Sequence, residues 1–127
     1  MALPTIMLGV EDLSRATKFY SEGLGYTVAK ETPHFVSIDL GDGGELALYP
    51  REGAAQDAGV SAEGSGFRGV SFHLNPDTKA AVNDIVSKAV AAGGSVVKEA
   101  ADTQWGGYYG YFADPDGYLW KVVTYGS

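Results

Sequence analysis

The spacing of hydrophobic and polar positions along the chain changes in the same order twice. A strand-like stretch is followed by a segment with helical spacing and then by three more strand-like stretches. The strand candidates are 5–10, 26–30, 34–40 and 45–49, and then 67–74, 95–99, 105–113 and 118–125. The pattern therefore predicts an α+β protein of two βαβββ modules, at about residues 3–50 and 67–125.

Each predicted helix has an apolar stripe and recognisable ends. Asp12 and Asn75 are candidate N-caps, and Pro76 would take the first helical position of the second helix. Glycines after each stripe end the helices. The two stripes are Leu13, Ala16, Phe19 and Tyr20, and Val82, Ile85, Val86, Ala89 and Val90.

Turn residues separate the remaining strands. The segments 42–44 and 114–117 combine aspartate with glycine, and the second adds a proline, as in a type I turn. The segment 51–66 is rich in Gly, Ala and Ser with little periodicity, which predicts a linker or a mobile loop. Two interpretations of this segment are open: a loop that closes over a site, or a flexible connector between the modules.

Composition excludes several classes of protein. The 127 residues include no cysteine, so disulfides and thiolate sites are excluded, and no apolar run approaches the length of a membrane span. The start of the sequence lacks a basic, then apolar, leader, which predicts a cytoplasmic protein. The net charge is −7 and the Lys and Arg residues are scattered, which argues against nucleic-acid binding. The acidity favours a cationic ligand or serves solubility alone.

Three stretches resemble the vicinal oxygen chelate superfamily of glyoxalases, bleomycin-resistance proteins and extradiol dioxygenases. They are the opening 9–26, the helix region 75–94 and the closing hairpin 106–117, with the sequence Gly-Gly-Tyr-Tyr-Gly-Tyr-Phe-Ala-Asp-Pro-Asp-Gly. With the strands between them, the resemblance covers nearly the whole chain. It implies one domain in which two βαβββ modules curl antiparallel sheets into a cup, with helices on the outside. It also implies a homodimer.

In metal-using members of this superfamily, His, Gln or Glu ligands project from the first and last strands of each module. The positions that match them here are Thr5, Ala47, Gly69 and Lys121. None of these is a good ligand for a divalent ion, and the lysine brings a positive charge to the place of the cation. Two residues away from these positions, only Glu45 is a strong ligand type. His73 lies on the same face as Gly69 but four residues further along, and His34 opens a different strand. We therefore predict no metal and no cofactor.

Aromatic residues of the closing hairpin are the main candidates for ligand binding. Tyr109 and Tyr111 share one face of a strand, and antibiotic-modifying relatives line their ligand site at these positions. The alternative is ordinary packing. Gly110 between them allows the close approach of a ligand or a neighbouring strand. Trp105, at the start of the same strand, could stack on a planar ligand or plug a partly buried gap, whereas Trp120 is predicted to pack under the helices.

Two further residues are weak candidates for catalysis. His73 could act as a general base, although a structural role is commoner. Lys121 could attack a carbonyl compound if its pKa were lowered, or pair with Glu45 or with an acidic group of a ligand. The remaining candidates for ligand contact are Met7, Phe35, Ser37, Tyr49 and Ser71.

The favoured hypothesis is a metal-free protein of the antibiotic-sequestering, bleomycin-resistance type that holds a bulky, partly aromatic small molecule. Such a protein needs a concave apolar surface with a few polar anchors and no catalytic group. The alternative is a lyase, dioxygenase or isomerase with a displaced metal site or with metal-free acid–base chemistry. A third possibility, a structural or regulatory partner protein, would present an exposed sheet face without a cavity.

Overall fold

The computed structural model describes residues 5–64, 68 and 70–126. The chain divides into two compact units, Met1–Gly64 and Ser65–Ser127. The boundary falls at the end of the predicted linker, and each unit contains the predicted order strand–helix–strand–strand–strand. The two-module α+β fold class is therefore confirmed.

The first unit is a four-stranded sheet with two helices. Its elements are β1 Ile6–Val10, α1 Leu13–Lys18 with a continuing π-helical turn Phe19–Gly23, β2 Thr27–Glu31, β3 Val36–Gly41, β4 Gly44–Pro50 and α2 Arg51–Ala58. The strand order is β1-β4-β3-β2. The β1–β4 ladder is parallel and the other two are antiparallel, so the sheet is mixed rather than wholly antiparallel.

One face of this sheet is covered by α1. The helix begins where expected, because the Asp12 carboxylate accepts a hydrogen bond from the Arg15 backbone N–H at 3.0 Å. The face is apolar because side chains alternate along each strand. The buried side chains of the helix side are Leu8, Val10, Ala16, Phe19, Tyr20, Val36, Ile38, Leu46 and Leu48. The opposite face of the sheet carries the strand residues that alternate with these buried ones.

A helix stands where the sequence predicted a linker or mobile loop. The segment Arg51–Ala58 forms α2, and it ends at Gly59, which adopts a left-handed φ of 77°. Its residues Glu52, Ala54, Ala55 and Gln56 are good helix formers. The helix escaped prediction because it has no side-chain N-cap and no apolar stripe, and its residues are exposed or only partly buried.

The second unit repeats the arrangement. Its elements are β5 Ser71–Leu74, α3 Lys79–Ala91, β6 Ser95–Asp102, β7 Tyr108–Ala113 and β8 Leu119–Thr124. The strand order is β5-β8-β7-β6, and here too the outer pair, β5 and β8, is parallel. The helix α3 buries Val82 and Ala89, and the same side of the sheet buries Phe112, Trp120 and Val122. Trp120 is only 3% exposed, as predicted.

The start of α3 differs from the prediction. The N-cap is Thr78, whose hydroxyl accepts a hydrogen bond from the Ala81 backbone N–H at 3.1 Å. Asn75 and Pro76 instead belong to the connection between β5 and the helix. Threonine and asparagine are both good caps, so residue type alone does not favour Asn75 over Thr78.

The closing turn between β7 and β8 forms as expected. The Asp114 carboxylate accepts hydrogen bonds from the backbone N–H groups of Asp116 and Tyr118, at 2.9 and 2.8 Å. Gly117 adopts a φ of 88°, which favours glycine. The turn fixes the register of the hairpin that carries the aromatic candidates.

Candidate functional site

The face of the first sheet opposite α1, here called the first open face, is organised around one carboxylate. Both oxygens of Glu45 accept hydroxyl hydrogen bonds, one from Thr5 at 2.7 Å and one from Ser37 at 2.5 Å. These hydrogen bonds, Ser37 first and then Thr5, lower the pKa of Glu45 from its ordinary value, although partial desolvation opposes them. Glu45 is therefore a fixed anion whose two oxygens are already engaged.

A concavity of about 790 Å³ lies on the first unit beside this carboxylate. We call it the helix-roofed concavity, because α2 contributes Gly53, Ala54, Asp57 and Ala58 to its wall. The other lining residues are Thr5, Met7, Pro33, His34, Ala47, Tyr49 and Pro50. The volume is in the range of small-molecule sites, and most of the lining side chains are apolar. The predicted contacts Met7 and Tyr49 thus line the same hollow.

The other two candidates of the first unit flank this hollow. The ring of Phe35 stacks on Tyr49, with centroids 5.3 Å apart and planes within 10°. The hydroxyl of Ser37 is engaged by Glu45. All four first-unit candidates therefore belong to one face of one sheet.

The face of the second sheet opposite α3, here called the second open face, has different chemistry. In the ladders, Lys121 of β8 lies between His73 of β5 and Tyr111 of β7. The hydroxyl of Ser71 lies 3.1 Å from the Nε2 atom of His73. The predicted contacts of this unit therefore share one face.

Tyr109 is the centre of that face. Lys98 Nζ donates a hydrogen bond of 2.6 Å to the Tyr109 hydroxyl, and Lys121 Nζ lies 4.6 Å from the centre of the Tyr109 ring. Trp105 stacks beside the same ring, with centroids 5.9 Å apart and planes within 19°, and Tyr111 meets it edge-on at 6.1 Å. We call these five residues the aromatic–lysine cluster.

The two lysines change the acidity of Tyr109. Its pKa is lowered from the ordinary tyrosine value, first by the hydrogen bond from Lys98 and then by the charges of Lys98 and Lys121, while partial desolvation opposes the shift. Two positive charges therefore lie close to this phenol, although the chain as a whole is acidic.

Trp105 was predicted to start the strand, but the structure places it elsewhere. It lies in the turn before β7, which begins at Tyr108, and its side chain is 55% exposed. A Cβ atom at Gly107 would overlap its indole ring. Glycine at that position therefore lets the ring fold back toward Tyr109 while one side remains open to solvent.

Gly110 allows the close approach of a neighbouring strand. A Cβ atom there would lie 3.0 Å from the backbone N and Cα atoms of Ala100 in β6. Of the two alternatives that the sequence left open, the structure shows β6 at this position.

The described residues do not fit the divalent metal that enzymes of this fold hold. Of the four positions that match its ligands, Gly69 lies outside the described residues and Lys121 carries an ammonium group. The nearby carboxylate of Glu45 already accepts hydrogen bonds from two hydroxyls. Within residues 5–64, 68 and 70–126, no three His, Asp or Glu side chains gather into a group that could hold a metal.

Lys98 is the member of the cluster that sequence reasoning missed. The pairing of β6 with β7 shifts register twice, between Val96 and Lys98 and between Lys98 and Ala101. At such irregularities, side chains do not alternate regularly between the two faces of the sheet. The sheet face on which Lys98 lies could therefore not be inferred from its position in the strand.

The fold and these faces define a protein of two βαβββ modules, each with a helix on one side of its sheet and an open, partly polar face on the other. A family model described as glyoxalase/bleomycin resistance protein/dioxygenase superfamily matches residues 2–122. The chain therefore belongs to that superfamily.

Solved structures support the assignment. A glyoxalase-related enzyme from Fulvimarina pelagi is 29% identical with a TM-score of 0.85, and the match covers 98% of this chain and 88% of that one. A hypothetical protein from S. aureus is 26% identical with a TM-score of 0.85, covering 98% and 94%. A family member from Burkholderia phytofirmans has a TM-score of 0.85 at 23% identity, covering 98% of both chains, which shows the shared fold. A comparison with curated proteins found no match.

No helix in the part of the chain that the structure describes has the length and apolar character needed to cross a membrane.

Proposed function

We propose that this protein binds a bulky, partly aromatic small molecule without a metal, in the manner of the antibiotic-sequestering members of its superfamily. The observation that carries the proposal is the aromatic–lysine cluster. Trp105 is more than half exposed, yet its ring is held against Tyr109 and Gly107. A pre-positioned and accessible aromatic surface is suited to stacking on a planar ligand, because little side-chain freedom is lost on binding.

The two hollows support the same proposal. A concavity of about 440 Å³ on the second unit is lined by Ser71, Val97, Lys98, Tyr111 and Leu119, next to the cluster. The helix-roofed concavity provides a second, larger apolar wall on the first unit. A protein that serves only as a structural partner needs neither hollow.

The test uses the different environments of the two tryptophans. Aromatic natural products that raise the melting temperature are titrated while fluorescence is recorded with acrylamide as a quencher. Trp105 is open to the quencher and Trp120 is buried. Binding at the cluster should protect the quenchable fraction of the emission, and Trp105→Phe should abolish that fraction.

The double variant Tyr109→Ala/Tyr111→Ala should weaken a ligand found in this way by roughly tenfold or more, since each aromatic contact contributes about 0.5–1.5 kcal/mol. The matched control is Tyr108→Ala, which removes a ring from the other side of the same strand, where its hydroxyl contacts Asn83 of α3. Equal binding by the double variant, with cooperative unfolding intact, would place the site elsewhere and direct attention to the helix-roofed concavity.

Metal-free acid–base catalysis is the second candidate function, because the phenol of Tyr109 is acidified and contacts Lys98. His73 and Lys121 lie on the same face. Elemental analysis of the purified protein should find well below one zinc, iron, manganese or nickel per chain. An activity that is insensitive to chelators and lost in Tyr109→Phe would favour this enzyme, whereas a stoichiometric metal would favour the lyases and dioxygenases of the superfamily.

We also propose that the protein is a cytoplasmic homodimer. The edge strand β6 exposes Val96 and Val97, and exposed apolar edge strands are commonly covered by another chain. Light scattering at micromolar concentration should give about twice the chain mass of 13.3 kDa. A monomer at that concentration would refute the dimer.

A further inference from the structure

We propose that the second open face selects an aromatic anion: the ring of the ligand stacks on Trp105 and its acidic group lies between Lys98 and Lys121. This inference rests on the proposed function, because it names the class of ligand for the same aromatic–lysine cluster. It reverses the expectation that an acidic protein takes a cationic ligand.

Among the described residues of the second unit, no carboxylate forms an ion pair with the ammonium groups of Lys98 and Lys121. In the described part of the second unit, the lysines that form ion pairs are Lys79, with Asp102, and Lys88, with Asp84. Lys98 and Lys121 contact aromatic rings and the Tyr109 hydroxyl instead. Two cations that converge on one neutral phenol leave positive potential for a bound anion.

The acidic residues of β6 lie on the other side of the sheet from Lys98. Glu99 lines the groove between α3 and β6, together with Asn83 and Val86. Asp102 pairs with Lys79 of α3. The register shifts around Lys98 thus separate the charges of one strand, with acids toward the helix and the lysine toward the open face.

The second open face also supplies hydrogen-bond donors. The Tyr109 oxygen accepts from Lys98, so its own proton remains available to an acceptor on the ligand. The two ammonium groups add further donors. The Ser71–His73 hydrogen bond uses one proton of that neutral pair and leaves the other available to a ligand. The charges of Lys98 and Lys121, which after the hydrogen bond also lower the pKa of Tyr109, would stabilise a carboxylate as well.

The ring of the ligand is placed by Trp105. Lys121 Nζ lies 5.9 Å from the centre of its indole ring and 4.6 Å from that of Tyr109, so one ammonium group is near both aromatic surfaces. A ligand that stacks on the indole therefore brings a substituent of its ring within reach of a cation. This geometry fits aryl carboxylates and acidic phenols.

The experiment compares three probes of one shape: 2-naphthoate, its neutral amide 2-naphthamide, and the cationic 2-naphthylmethylamine. Protection of Trp105 from acrylamide measures binding. We expect naphthoate to bind at least about fivefold more tightly than the amide, and the amine to bind most weakly. Raising the ionic strength should weaken naphthoate and leave the amide unchanged.

Charge-removing variants locate the effect. Lys98→Met and Lys121→Met keep a side chain of similar length and should each weaken naphthoate about three- to tenfold, with little change for the amide. Lys98→Arg and Lys121→Arg should restore most of the affinity because the charge returns. Lys88→Met on α3 removes a lysine whose partner is Asp84 and serves as the matched control.

The outcomes separate the two proposals. If all three probes protect Trp105 equally, the face binds aromatic molecules without charge selection, so the proposed function stands and this inference is wrong. If naphthoate is preferred but neither methionine variant weakens it, the anion lies elsewhere and the inference is also wrong. If no probe protects Trp105, both the proposed function and the inference fail.

Discussion

The two open faces occupy equivalent places in repeated modules, yet they carry opposite charge. On the first, Glu45 is held as an anion by Thr5 and Ser37. On the second, Lys98 and Lys121 converge on Tyr109. Apart from α2, the order of strands and helix is the same in both. The comparison shows that the repeated fold provides the open face, while a few side chains on it decide which ligand chemistry it suits.

The two units each contain a glycine whose surroundings can be compared. In the second, the backbone of β6 passes directly against Gly110. In the first, a methyl group added to Gly53 of α2 would meet no atom of another element within 4 Å. Alanine substitutions at these two glycines should therefore have opposite effects on stability.

The largest effect is expected for Gly110→Ala. Its methyl group must displace the backbone around Ala100, which should lower the free energy of unfolding by about 1–3 kcal/mol. The matched variant Gly53→Ala should raise it by up to about 1 kcal/mol, because alanine favours a helix. Chemical denaturation measures both. Equal changes in the two variants would show that the close approach of β6 is not a constraint.

A smaller effect concerns the acidity of the second face. Because the pKa of Tyr109 is lowered, its phenol should ionise below the ordinary tyrosine pKa of 10.0, as followed by ultraviolet absorbance of the phenolate. Lys98→Met should shift this early transition to higher pH, since the hydrogen bond from Lys98 is its main cause. Tyr109→Phe should remove it. An early transition that survives in Tyr109→Phe would belong to a different residue.

The smallest effect is expected on the first face. The pKa of Glu45 is lower in the folded state than its ordinary value of 4.5, so ionised Glu45 stabilises the fold above that pH. This contribution is lost as pH falls from 4.5 through the lowered folded-state pKa. Glu45→Gln should therefore be less stable than the parent at neutral pH, and the difference should shrink in acid. A constant difference across pH, measured by denaturation, would contradict the assignment.

Local signals predicted the parts of the fold that depend on neighbouring residues. The Asp12 cap and the turn 114–117 formed as expected because each is completed within a few residues. The burial of Trp120 followed from the alternation of side chains along a strand. The cap of α3 was misplaced, because Asn75 and Thr78 are both good N-caps and the choice depends on how the connection from β5 packs.

The candidate site was only partly predictable. Tyr109, Tyr111 and Trp105 were found from their sequence alone and do lie together. Lys98 was missed, because irregular pairing decides its face and is set by a partner strand. The helix α2 was missed as well, since a short helix without an apolar stripe has the same composition as a loop. Irregularities of this kind are where tertiary contacts override local preference.

The parallel pairing of first and last strands constrains the order of folding during synthesis. Because β1 pairs only with β4, its ladder cannot form before Pro50 has been made, and β5 likewise waits for β8. All ladders of the first sheet are internal to residues 6–50, so that sheet can be completed while the ribosome is still translating the second unit. A nascent chain stalled before Leu119 would therefore carry a finished first sheet and a β5 strand without its partner.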